Sequence, residues 1–123
     1  MDKEIEAFLE LKNLVERMNE EVSCVLVEGR KDKEALKKIG YKGRVVYVNK
    51  FREVEGKIVI LTDFDEEGKE AARRIIKTVG EKNIDTFFRN KFRKILKSIG
   101  RNDIQAISNL CKKYEEFLHE QKI

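Results

Sequence analysis

The sequence predicts an α/β domain built on a mainly parallel, four-stranded sheet flanked by helices. Short runs rich in valine and isoleucine alternate with amphipathic stretches of helix length, the pattern of successive βαβ units with right-handed crossovers. Glycine supplies the punctuation, at Gly29, Gly40, Gly43, Gly56 and Gly80, in a chain with no proline. The 123 residues are 41% hydrophobic and 41% charged, which describes one foldable domain and not a disordered tail.

Residues 3–20 carry Ile5, Phe8, Leu11, Val15 and Met18 at three- and four-residue steps, an amphipathic helix with an apolar stripe to bury. Residues 22–28, VSCVLVE, are apolar almost throughout and read as a strand covered on both faces. Residues 31–39 are helical, with Ala35, Leu36 and Ile39 inward and Gly40 as the stop. A second strand is expected over 44–49 and a third over 57–63; residues 50–55 are ambiguous. Residues 66–79 form a helix with Ala71, Ala72, Ile75, Ile76 and Val79 on one side, ended by Gly80. A fourth strand is expected over 84–88. Phe92, Ile95, Leu96 and Ile99 then mark one helix, and Ile104, Ile107, Leu110, Tyr114 and Phe117 another. The domain (1–123) thus divides into a helical flank (1–21), an α/β core (22–88) and a basic helical flank (89–123).

Composition excludes several chemistries. Cys24 and Cys111 are the only cysteines and His119 the only histidine, so a Cys/His zinc site and a Ser-His-Asp triad are both excluded in practice. Reduced thiols and a cytoplasmic location are expected. No apolar run approaches the length of a membrane span, and the acidic start MDKEIEAF does not read as a signal peptide.

Ligands of a parallel sheet bind beyond the carboxyl ends of its strands, and two places put carboxylates there. The first strand ends Glu28-Gly29, with Asp32 just beyond; the third ends Thr62-Asp63-Phe64-Asp65, with Gly68 following. Asp63 and Asp65 are two residues apart, a spacing that turns side chains the same way in extended backbone. With Glu28 facing them they form an all-oxygen donor set suited to Mg²⁺ or Mn²⁺. Each residue also has an ordinary structural reading. Asp65 suits the N-cap of the helix at 66, Asp63 a turn, and Asp32 the first turn of the helix it opens. Gly29 and Gly68 suit tight turns or the close approach of a phosphate to backbone N–H groups.

VLVEGRKDKEAL followed by KIVILTDFDEEGKEAARRI resembles the Toprim domain, shared by DnaG-type primases, topoisomerases and small RNA-maturation nucleases. The resemblance rests on Glu28-Gly29 after the first strand, Asp63-Phe64-Asp65 after the third, and Gly68 three residues on. It implies a Toprim-like three-layer sandwich and magnesium bound by Glu28, Asp63 and Asp65. Glu28 would serve as the catalytic acid/base, with Asp32, Gly29 and Gly68 supporting the metal ligands.

The formal charge of +4 conceals an uneven distribution: Arg89, Lys91, Arg93, Lys94, Lys97 and Arg101 fall in a stretch with no acidic residue. Such a stripe suits a phosphate backbone or simply solvates a helix. Arg93, Lys94, Lys97 and Arg101, with Arg30 and Lys31 at the first loop, are the candidate nucleic-acid contacts. The expected function is that of a small magnesium-dependent nuclease on RNA or DNA. The alternatives are a non-catalytic Toprim module that binds nucleic acid or a protein complex, and a general α/β phosphoesterase or magnesium-coordinating receiver-like domain, the receiver being disfavoured by the absence of an acidic pair at the first strand. A homo-oligomer is compatible with either flanking helix.

Overall fold

Four parallel strands form one sheet in the order β2-β1-β3-β4, with β1 at Cys24–Val27, β2 at Arg44–Tyr47, β3 at Ile58–Ile60 and β4 at Ile84–Asp85. The computed structural model describes residues 2–121 apart from the side chains of residues 53 and 116–121, so the expected packing of Phe117 and the lone His119 lie outside the described residues. Around the sheet are α1 (Lys3–Glu21), α2 (Arg30–Lys38), α3 (Glu66–Val79), α4 (Phe87–Ser98) and α5 (Ala106–Gln121). The stretch left open at 50–55 belongs largely to a 3₁₀ segment, Val48–Glu53.

Every residue of β1 and β3 is buried, and alternation sends successive side chains to opposite faces. Val25, Val27, Val59 and Leu61 pack with Phe8, Leu11 and Met18 of α1, Leu36 of α2, Phe92 and Leu96 of α4 and Ile107 of α5. Cys24, Leu26, Ile58 and Ile60 pack on the other face with Ala72 and Ile75 of α3. The result is the three-layer sandwich expected from the resemblance, with four helices on one face and α3 on the other. Cys24 and Cys111 are free thiols in separate cores on opposite faces.

All four strands end earlier than expected, β1 at Val27, β2 at Tyr47 and β3 at Ile60. The fourth strand covers only Ile84–Asp85, and Phe87 and Phe88 already belong to α4. Asp85 accepts a hydrogen bond from the Phe88 N–H at 3.1 Å, which turns the chain into the helix. The valine-like apolar character of the two phenylalanines cannot distinguish a buried strand end from a helix start. No helix among the described residues is long and apolar enough to cross a membrane.

The core predicts an alkaline response. Burial first, with a smaller push from Cys24, raises the Tyr41 phenol from 10.0 to about 12; burial first, then Glu115, raises the Cys111 thiol from 9.0 to about 11. Both groups ionise earlier in the unfolded chain, so their contribution is complete below pH 9 and is lost between pH 9 and 12. Each loss is at most about 2–3 kcal/mol by linkage. Urea denaturation at stepped pH should show stability falling from pH 9 upward, and Tyr41→Phe should remove the portion above pH 10.

Candidate active site

The topology singles out one point on the sheet. From β1 the chain crosses through α2 to β2 in one direction; from β3 it crosses through α3 to β4 in the other, on the opposite face. The carboxyl ends of β1 and β3 therefore bound the crevice of the switch point, where α/β sheets bind ligands. Glu28 follows β1 and Asp63 follows β3, so both sequence motifs meet there.

Backbone N–H groups hold these carboxylates from several directions. The Asp63 N–H donates to Glu28 Oε1 at 3.1 Å, which ties the two strand ends together. Asp63 Oδ1 accepts from the Ile104 N–H at 2.9 Å, and the Phe64 N–H donates to the Asn102 carbonyl at 2.7 Å. Asp65 caps α3, accepting from the Gly68 N–H at 2.8 Å. The extended-strand expectation is thus modified, because Asp63 leans toward the segment before α5 and Asp65 toward α3. Asp32 is 5% exposed; its Oδ2 accepts from the Gly29 N–H at 3.1 Å, while its Oδ1 is buried with no hydrogen-bond partner among the described residues.

These acids feel one another. Burial first, and the negative charges of Asp32, Glu28 and Asp65 after it, push the Asp63 carboxyl above its ordinary range against the pull of the Ile104 N–H. Burial likewise raises Asp32, helped by Glu28 and opposed by Gly29 and the neighbouring Gln105 amide. Among the described residues, however, no three Asp, Glu, Cys or His side chains converge closely enough to hold a metal ion.

The two glycines differ. A Cβ on Gly68 would overlap the Asp63 carbonyl group, so this turn of α3 lies directly on the Asp63 backbone. Thr62 completes the contact by donating from Oγ1 to the Gly68 carbonyl at 2.7 Å. Gly29 has φ −155° and ψ 178°, extended backbone open to any residue, and a Cβ there would meet nothing within 4 Å.

A model of the Toprim domain matches residues 23–95. The chain belongs to the Toprim family. It is 31% identical over 122 residues to a UPF0292 protein of Thermococcus sibiricus, spanning 91% of this chain and 94% of that one. A UPF0292 protein of Pyrococcus horikoshii is 26% identical, with 89% and 88% of the two chains covered. A solved structure of a protein from Aquifex aeolicus superimposes with a TM-score of 0.58 at 25% identity, over 82% of this chain and 94% of that one. Toprim domains are generally associated with nucleic-acid-processing enzymes, often with divalent metals, and the match runs past β4 into α4.

In this Toprim domain the basic candidates do not form one stripe. Arg101 turns to Asp103, with Nε and Nη2 each 3.1 Å from a carboxylate oxygen, and lines a groove with Lys31 between α2 and the start of α5. Lys94 lines another groove with Lys91, Glu6 and Glu10 between α1 and α4. Arg30 is exposed and pairs with Glu34 at 3.5 Å, Lys97 is exposed and Arg93 half-buried.

Two residues of the site escaped the sequence reading. Arg89, counted with the basic stretch, points inward and donates to the carbonyls of Ile60, Thr62 and Asp63 at 3.1, 2.8 and 3.2 Å. Ile104, read only as apolar packing, holds Asp63 through its backbone, a role that no side-chain identity announces.

Proposed function

We propose that this Toprim protein is a small magnesium-dependent nuclease that acts on nucleic-acid phosphodiesters, with Mn²⁺ as an alternative ion. The observation that carries this reading is the concentration of mutually repelling carboxylates at the switch point, with Asp63 raised by burial and by three neighbouring acids. Their donor chemistry fits a hard divalent cation. The backbone bonds engage one oxygen each of Glu28, Asp63 and Asp65 and leave the other. Glu28, Asp63 and Asp65 would hold the ion, with Asp32 behind them. When bound, the ion supplies positive charge against the phosphate oxygens.

The chain's own residues divide the remaining work. Glu28 Oε1 and the Ile104 N–H hold Asp63 from two sides, so its carboxylate is oriented before any substrate arrives. Glu28 Oε2 makes no hydrogen bond among the described residues and is the atom that would accept or return a proton. Gly29 leaves the approach to the first turn of α2 open, so a phosphate oxygen can come close to backbone there.

The open spacing of the carboxylates favours one other reading, a Toprim module that binds nucleic acid or a protein complex without cleaving it. Hydrolysis of an RNA and DNA panel with Mg²⁺ or Mn²⁺ separates the two. The nuclease reading expects cleavage that EDTA abolishes and that Glu28→Gln, Asp63→Asn and Asp65→Asn each reduce by about 10²-fold or more. Cleavage that persists in Asp63→Asn removes the assigned site, and salt-sensitive binding without turnover selects the module.

A further inference from the structure

We infer that the nucleic-acid backbone reaches the carboxylates along the groove between α2 and the segment that leads into α5, and not across α3 or along the basic face of α4. This rests on the nucleic-acid reading above and assigns it a surface. The groove has a volume of about 290 Å³, and its walls include Lys31, Lys38, Arg101, Gln105, Ser108 and Asn109.

Three observations select it. The first is continuity with the site. Ile104, which holds Asp63, lies between Asp103 and Gln105 of the groove wall, and the Gln105 amide sits beside the Asp32 carboxylate. Lys31 is the residue before Asp32, so one wall of the groove ends at the acids.

The second is the state of its charges. Lys31 and Lys38 make no ion pair among the described residues, while the groove's two acids are already paired, Glu34 with Arg30 outside it and Asp103 with Arg101 within its wall. Free ammonium groups with neutral Ser, Asn and Gln side chains between them are what a phosphodiester chain needs. The cations take phosphate oxygens, and the amides and hydroxyls take sugar or base edges.

The third is what lies on the other approaches. The cleft on the α3 side of Glu28, about 430 Å³, is walled by Glu28, Glu66, Glu67 and Glu70, with Arg74 the one cation among the described residues that line it. That surface repels a polyanion. On α4, Lys91 and Lys94 share their groove with Lys3, Glu6 and Glu10 of α1, and none of its lining residues belongs to the segments that carry Glu28, Asp32, Asp63 or Ile104. The polar groove beside α2 is thus the approach that joins unpaired lysines, Lys31 and Lys38, to the segment that holds Asp63.

The test is fluorescence anisotropy of labelled single-stranded RNA, single-stranded DNA and duplex DNA, titrated with the full chain in EDTA across a salt series. Lys31→Glu/Lys38→Glu is compared with Lys91→Glu/Lys94→Glu and with Lys42→Glu/Lys82→Glu. The last pair precedes β2 and β4 at the opposite, amino end of the sheet and makes the same change in net charge. The groove pair should weaken binding about tenfold or more, and the other two pairs by about twofold or less. The neutral Lys31→Gln/Lys38→Gln should lower the salt slope by about 0.7 per lost contact on single strands and about 0.9 on duplex. Circular dichroism checks that each variant is folded. Equal losses in all three pairs, or no loss in the groove pair, overturn the groove while the nucleic-acid reading stands. A wild-type protein that binds none of the three probes overturns both.

Discussion

Gly68→Ala should destabilise the domain by about 3 kcal/mol, the upper range for overpacking a closely fitted site. The added methyl would fall on the Asp63 carbonyl, and neither side can yield cheaply. A flexible side chain could rotate away, but Asp63 is held by four neighbours. Its N–H goes to Glu28, its Oδ1 to Ile104, its carbonyl to Arg89, and the next N–H, on Phe64, to Asn102. Gly68 is no freer. Its N–H caps onto Asp65 and its carbonyl accepts from Thr62. For a chain of this length about 3 kcal/mol lowers Tm by roughly 10–15 °C, which a thermal melt by circular dichroism resolves. Any Mg²⁺-dependent hydrolysis should fall with it, because accommodating the methyl moves the Asp63 backbone. An alanine variant with an unchanged melt would show that α3 shifts freely on the loop below it, and the site would lose its claim to rigidity.

The legible parts of this fold are those in which side-chain chemistry repeats along the chain. The α3 helix was readable over its whole length because its apolar spacing begins after the Asp65 cap and stops at Gly80. The strands β1 and β3 were readable because burial on both faces demands apolar residues at every position. Glu28 and Asp63 are legible as residues at the carboxyl ends of β1 and β3, because a charge interrupts each apolar run there. Phe87 and Phe88 misled because two aromatic residues suit a strand end and a helix start equally. Asp32 reads as an ordinary helix-opening acid, which is usually exposed, whereas this one is 5% exposed because of elements distant in sequence. What stayed invisible was carried by backbone or by direction. The Ile104 N–H acts irrespective of its side chain, and an arginine among other basic residues gives no sign of which one turns inward.

Arg89 is that residue, and Arg89→Ala should cost about 3 kcal/mol or more. The reason lies in the shortness of β4. Its pairing with β3 ends at Val59 opposite Asp85, while on the other side β1 still accompanies the chain, with the Leu61 N–H donating to the Leu26 carbonyl at 2.8 Å. Beyond Val59 the outer edge of β3 has no strand beside it among the described residues. The Arg89 guanidinium takes that place, donating to the carbonyls of Ile60, Thr62 and Asp63 while stacking 4.8 Å from the centroid of the Phe64 ring. Burial lowers its pKa from 12.5 to about 10, which Glu28 and Asp63 resist, so it remains a cation at neutral pH. One side chain therefore closes the sheet edge and sets a positive charge behind the carboxylates. Alanine would leave buried carbonyls unanswered and the acids less compensated. Lysine restores the charge but not the planar fork that reaches three carbonyls, so Arg89→Lys should recover only part of the loss. Urea denaturation of both variants measures this directly. Equal stability of the lysine variant and the wild type would mean that charge alone matters there. A fully stable alanine variant would mean that water satisfies the edge and that Arg89 is not what holds Asp63 in position.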